Sequence, residues 1–188
     1  MGRLIEWNLI SLDGYFEGAN KWDLEWHNYV WDTELEKFSL DQLHKAGMLL
    51  FGRTTYEGMV AYWKTATGQV AELMNSLPKA VISRTLKDAD WNNTRILRGG
   101  SAEEISRLKR EVDKDILVFG SGALSATLIR NNLFDELHIA LAPAVLGRGV
   151  TLFGRDLPRR RFTLLEARPL QSGLVILRYA PSPETSGD

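Results

Sequence analysis

The 188-residue chain has no cysteine, which excludes disulfides, a thiolate nucleophile and any cysteine-ligated zinc site. Histidine is scarce as well. His27, His44 and His138 are scattered and show no HxxxH spacing, so no metal site is expected. Excess charge of either sign is missing too. A net charge of −1 argues against nucleic acid or an anionic membrane as the main partner, because both call for a basic surplus. No apolar run approaches the ~20 residues of a membrane span. Met1-Gly2-Arg3-Leu4-Ile5 enters a strand pattern directly, without the layout of a signal peptide. These absences together lead us to expect a cytoplasmic protein that acts on a small molecule.

What remains is an ordinary globular composition, 44% hydrophobic and 25% charged, long enough for one well-buried domain. We place that domain at residues 1–180 and read 181–188 as a polar, disordered tail. Short apolar runs alternate with amphipathic stretches along the chain. The runs are Arg3 to Ile10, Met48 to Phe51, Lys79 to Ile82, Ile116 to Phe119 and Leu133 to Ala142. Phe162 to Leu165 and Leu174 to Tyr179 close the chain as an antiparallel hairpin around Ser172-Gly173. The pattern predicts an α/β fold, a mixed, mostly parallel sheet flanked by helices with an antiparallel end. The apolar segment from Ile139 to Leu146 reads equally well as core or as a subunit contact.

Three predicted strands end in the same kinds of residue. One runs into Gly52-Arg53-Thr54, a second into Ser83-Arg84-Thr85 and a third into Gly120-Ser121-Gly122. Glycine turns feeding helices leave N–H groups free for an anion, and the helix dipole favours negative charge there. Ligands of such sheets sit at the carboxyl ends of the strands. Thr54 and Glu57 have capping-box spacing. A dinucleotide fingerprint fits poorly, because GSGALS lacks the third glycine and lies far from the first strand. Arginines with hydroxyls suit a 2′-phosphate, hence NADPH rather than NADH. The segment from Tyr15 to Trp31 is long and rich in rings, and Trp22, Trp26 and Trp31 are candidates to lie beside a flat substrate.

GRTTYEG, SRTL, FGSGAL and the LDG turn together resemble the dihydrofolate reductase superfamily. Within it, the branch holding the reductase domain of riboflavin biosynthesis and its stand-alone relatives is the most similar. MNSLPKAVISRTL and NNLFDELHIALAPAVLGRGVTLF carry that likeness further. The resemblance implies a dihydrofolate reductase-like mixed sheet, NADPH across the strand ends, a small-molecule substrate and usually a homodimer. It assigns Gly52, Arg53 and Thr54 to the cofactor's phosphates, and Ser83, Arg84 and Thr85 to its 2′-phosphate side. It assigns Gly120, Ser121, Gly122, Ala123 and Leu124 to the pyrophosphate, and Leu12, Asp13 and Gly14 to the start of a mobile loop over nicotinamide and substrate. It also implies one acid on the next helix, and Asp32, Glu34 and Glu36 all qualify. Spacing does not choose among them, and each also fits as a helix-start acid favoured by the dipole.

The leading expectation is an NADPH-dependent reductase that transfers hydride to a C=N or C=O of a flat heterocycle. The ribosylaminopyrimidine of riboflavin synthesis is the next substrate, then dihydrofolate. A binding protein that keeps the fold without turnover is the reading from a different class.

Overall fold

In the computed structural model, which describes residues 1–100, 102–154 and 156–183, β1 (Leu4–Ile10) leads through a short β2 (Tyr15–Glu17) and a 3-10 turn (Glu25–Tyr29) to α1 (Thr33–Lys45). Next come β3 (Ala46–Gly52), α2 (Arg53–Trp63), α3 (Gln69–Ser76), β4 (Lys79–Ile82), β5 (Thr94–Leu97) and α4 (Ala102–Glu111). The chain continues through β6 (Asp115–Val118), α5 (Gly122–Arg130), β7 (Glu136–Leu141) and β8 (Val150–Thr151) to the hairpin β9 (Phe162–Pro169) and β10 (Val175–Pro181).

Eight strands make one sheet in the order β5-β4-β3-β6-β1-β7-β10-β9. The six from β5 to β7 are mutually parallel, and β10 pairs antiparallel with both β7 and β9. This is the mixed, mostly parallel sheet with an antiparallel end that the alternation of runs predicted. Its central strands are covered on both faces, which is why they read as unbroken apolar runs rather than alternating ones. Leu4, Ile116, Val118 and Leu137 pack on one face beneath Leu124 and Leu128 of α5. Trp7, Leu9 and Ala140 pack on the other, against Leu35 and Phe38 of α1. Of the segment that also read as a subunit contact, Ile139, Ala140 and Ala142 are buried in the core, while Val145 near its far end is exposed. At the amino end of β7, opposite the carboxyl ends of the parallel strands, Glu136 accepts hydrogen bonds from Arg3, His138 and Arg178 and ties the start of β1, β7 and β10 together.

Local reading of the chain failed in three places. A glycine such as Gly47 commonly marks a helix end, but α1 passes straight into β3 at Ala46, one residue before it. A side chain at Gly47 would meet Val112 and Lys114, so the glycine serves a close approach rather than a stop. The segment after Tyr15 is less irregular than its composition suggests, because β2 pairs antiparallel with β8 as a separate two-stranded ribbon. The Thr54–Glu57 capping box does not form, and Gly52 stands at the N-cap of α2. Of the expected tail, Pro181 closes β10 and Ser182 bonds Thr163, while 184–188 lie outside the described residues. No helix among the described residues is long and apolar enough to cross a membrane.

Candidate functional site

The ends of β3, β6 and β1 frame a cleft of about 240 Å³. Thr54 and Thr55 from the start of α2 form one wall, and Gly120 to Ala123 form the next. Asn8 and Leu9 make the floor, while Phe16, Trp22, Leu24, His27, Met59 and Val150 complete an apolar surround. Among the described residues of this lining, Glu17 is the carboxylate, and there is no lysine or arginine.

Two helix starts converge here, and both are bare. α2 and α5 have no side-chain N-cap and no acid in the first turn. Elsewhere the chain fills those places. Asp32 caps α1 ahead of Glu34 and Glu36, and Glu72, Glu103 and Glu104 occupy the first turns of α3 and α4. A helix start without cap or acid leaves N–H groups and positive potential for a ligand of negative charge. The turn before α5 is strained to suit. Gly120 has φ +54° and Ser121, at the N-cap, has φ +68°, a left-handed conformation that non-glycine residues rarely adopt. At Gly122 a side chain would press on the Thr151 carbonyl.

The structure brings the three predicted strand ends together. Gly52 lies against Ser121, so that any side chain there would strike the Ser121 hydroxyl. Arg53 donates to Thr85 Oγ1 at 2.6 Å and to Glu57 at 2.7 Å, which ties the start of α2 to the end of β4. The Ser83 hydroxyl accepts from the Leu86 N–H at 2.9 Å and shapes the turn after β4. Arg84 is exposed beside it and makes no hydrogen bond or ion pair with the described residues. Arg98, which sequence reasoning passed over, braces the same loop by donating to the Leu86 carbonyl. Ala123 lines the cleft, whereas Leu124 is buried in the core.

Other predicted residues stand outside the cleft. Leu12 is exposed, Gly14 has φ +85°, and the Asp13 carboxylate accepts from Ser11 Oγ at 2.6 Å, Leu146 N at 3.1 Å and Gly147 N at 2.7 Å. Those donors, Ser11 foremost, hold its carboxyl below the ordinary carboxylate range. This turn fastens the β1 end to the loop after β7. Asp32 accepts from the Leu35 N–H at 2.8 Å as the α1 cap, and Glu34 accepts from the Gln171 N–H at 2.8 Å. None of Asp32, Glu34 and Glu36 lines the cleft.

The three tryptophans separate. Trp22 lines the cleft with φ +65° and packs so close to Gly58 that a side chain there would enter its indole. Trp26 is 5% exposed within the core facing α1, and Trp31 is 43% exposed away from the cleft. His27 was weighed only as a metal ligand, yet it lines the cleft beside Trp22. Burial lowers its imidazole to about 4 against an opposing hydrogen bond with the Phe16 backbone. It is therefore neutral near pH 7.

Comparison with known proteins bears on the family and the fold. A family model described as the RibD C-terminal domain matches residues 4–176. The uncharacterized protein YyaP of Bacillus subtilis (strain 168) is 29% identical over 175 residues, 90% of each chain. A putative riboflavin biosynthesis protein from Shewanella sp. PV-4 superposes with a TM-score of 0.81 at 20% identity, over 97% of this chain and 100% of that one. Dihydrofolate reductase from Enterococcus faecalis, solved with NADP(H), gives 0.65 at 16% identity over 97% and 98%. The diaminohydroxyphosphoribosylaminopyrimidine deaminase/5-amino-6-(5-phosphoribosylamino)uracil reductase of Thermotoga maritima gives 0.64 at 12% identity, and this chain spans 57% of it. Similarity at these identities establishes a dihydrofolate reductase-like α/β fold.

Proposed function

Since the chain belongs to the RibD C-terminal domain family, we propose that it is an NADPH-dependent reductase acting on a small flat heterocycle. The observation that carries this reading is the meeting of two bare helix starts, α2 and α5, at one cleft. A diphosphate fits that donor set, since its charge lies where both dipoles and the N–H groups of Ser121 and Gly122 at the start of α5 are directed. Thr54 and Thr55 add hydroxyl donors on the opposite side. Arg84, exposed just past the end of β4 and without a hydrogen bond to the described residues, is the candidate for a 2′-phosphate.

When bound, NADPH supplies the hydride, and the work left to the protein is positioning and exclusion of water. Trp22, Phe16 and Met59 give the ring-sized cleft its apolar faces. Among the described residues no lysine or arginine lines it, which favours an uncharged ring over a ribosyl phosphate. His27, already neutral, has no proton to give near pH 7, so the proton comes from solvent.

Titration followed by nucleotide fluorescence tests the reading. Saturable NADPH binding is expected, with NADH weaker. Arg84→Ala is expected to weaken NADPH about tenfold, the low end for an exposed charge-assisted contact, and to change NADH less than about twofold. Equal losses for both nucleotides would refute the role of Arg84, and no saturable binding would refute the reductase.

A further inference from the structure

Directly beneath the glycine turn lies a fully buried carboxyl that the proposed chemistry does not use. Glu6, in the middle of β1, has no exposed surface, and neither does Ser125 of α5. The Ser125 hydroxyl is 2.7 Å from Glu6 Oε2 and 3.2 Å from the Gly120 carbonyl oxygen. Asn8, two residues along the same strand face, donates from its amide to Glu6 Oε1. Its own carbonyl oxygen accepts from the Gly120 N–H at 2.8 Å. Both polar groups of the Gly120 peptide thus end on a network rooted in Glu6.

The network has a definite proton count. A hydroxyl carries one hydrogen, so Ser125 serves either Glu6 or the Gly120 carbonyl as donor. If Glu6 is ionised it takes that hydrogen, and the Gly120 carbonyl is left without one. If Glu6 keeps its proton, it donates to Ser125 Oγ, and Ser125 donates onward to Gly120. Every member of the chain is then satisfied. Among the described residues no charge stabilises the ionised form. Glu6 stands in register with Val118 of β6 and Leu137 of β7, and Leu124 and Leu128 of α5 cover the same face. Glu136 and His138 alternate with Leu137 and so lie on the opposite face of β7, and Asp115 of β6 pairs with Arg3. Arg130, the one charged residue of α5, is exposed at its C-terminal end.

We propose that Glu6, kept protonated, is the positioning residue of the cofactor turn, holding the Gly120 peptide through Ser125 and Asn8 in the left-handed conformation that aims its N–H groups at the ligand. The ligand's identity rests on the NADPH reading above, whereas the network stands without it. Burial raises the Glu6 carboxyl to about 8 even with hydrogen bonds from Ser125 and Asn8 acting the other way. The folded protein therefore holds a proton that the unfolded chain releases near its ordinary value of 4.5. This contribution to stability is complete below that ordinary value and is lost as pH rises through about 8.

Parallel pH series on the parent, Glu6→Gln and Glu6→Ala test this. The glutamine amide donates to Ser125 Oγ and accepts from Asn8, and it has no proton to lose. Between about pH 6 and about pH 9 the parent melting temperature is expected to fall relative to that of Glu6→Gln. Parent NADPH affinity is expected to drop about fivefold over that range, the worth of one hydrogen bond on the turn, while Glu6→Gln stays flat. Glu6→Ala is expected to bind NADPH weakly at every pH. Parallel melting curves for parent and Glu6→Gln would overturn the proposal, as would NADPH binding by Glu6→Gln as weak as that by Glu6→Ala. If no form binds NADPH, the reductase reading fails and the melting series still decides the role of Glu6.

Discussion

A Gly120→Ala variant is expected to bind NADPH about 100-fold more weakly than the parent, the equivalent of roughly 2.7 kcal/mol. Two effects combine. At φ +54° an L-residue costs about 1–2 kcal/mol relative to glycine. The added methyl would also lie 3.2 Å from Thr55 Cγ2, 3.3 Å from Thr55 Oγ1 and 3.5 Å from the Phe16 ring. Both of those residues line the cleft, so the backbone has no direction of relief that leaves the site unchanged. The turn must rotate away, and its N–H groups move with it. Gly68→Ala is the control for backbone strain alone. Gly68 has φ +98° with open space around the missing side chain, and it lies at the start of α3, away from the cleft. That variant is expected to lose about 1 kcal/mol of stability and to keep its NADPH affinity. Folding of both variants is checked by thermal melts. A Gly120→Ala protein that binds NADPH as the parent does would remove the turn from the site.

The strand ends were legible in sequence because each is a local event, an apolar run stopping at glycine or serine, with arginine next to it in two of the three. Their convergence follows from topology. Parallel strands β4, β3 and β6 are neighbours in the sheet, so all of their C-terminal ends lie at one edge. The polar interior was not legible. Glu6 stands inside LIEWNLI, which scans as a buried strand with one tolerated charge, and its partner Ser125 is 119 residues away. The available signal was the pair Glu6 and Asn8, two polar side chains on one face of a strand otherwise buried, since such a pair needs a partner from elsewhere. The Thr54–Glu57 box misled for a related reason. Its spacing is local, but contact between Gly52 and Ser121 sets where α2 begins, and that contact spans the fold. The tryptophans between Tyr15 and Trp31 show the same limit. Composition counts rings, whereas whether a ring meets core, cleft or water depends on the pairing of β2 with β8.

Lys79→Met is expected to lower the free energy of unfolding by about 3 kcal/mol at pH 7, and the melting temperature by roughly 6–12 °C for a chain of this size. Lys79 is fully buried at the first residue of β4. Its ammonium donates to the carbonyls of Asn75 at 3.0 Å, Leu77 at 2.7 Å and Asn92 at 3.0 Å, and it lies 4.6 Å from the Trp91 ring. Those carbonyls come from the end of α3 and from the turn into β5, so one side chain joins three segments. Burial lowers the ammonium to about 8, which leaves it charged at pH 7 with a hydrogen for each acceptor. Methionine matches the length of the stem but leaves three part-buried carbonyls without this donor, at about 1 kcal/mol each. The opposite end of β4 carries Ser83-Arg84-Thr85, and hydrogen bonds from Arg98 and Arg53 hold that end independently. NADPH affinity of Lys79→Met measured well below its melting temperature is therefore expected to stay within about threefold of the parent. Loss of affinity without loss of stability would contradict this account, because it would put Lys79 in the site and leave the three carbonyls without energetic weight.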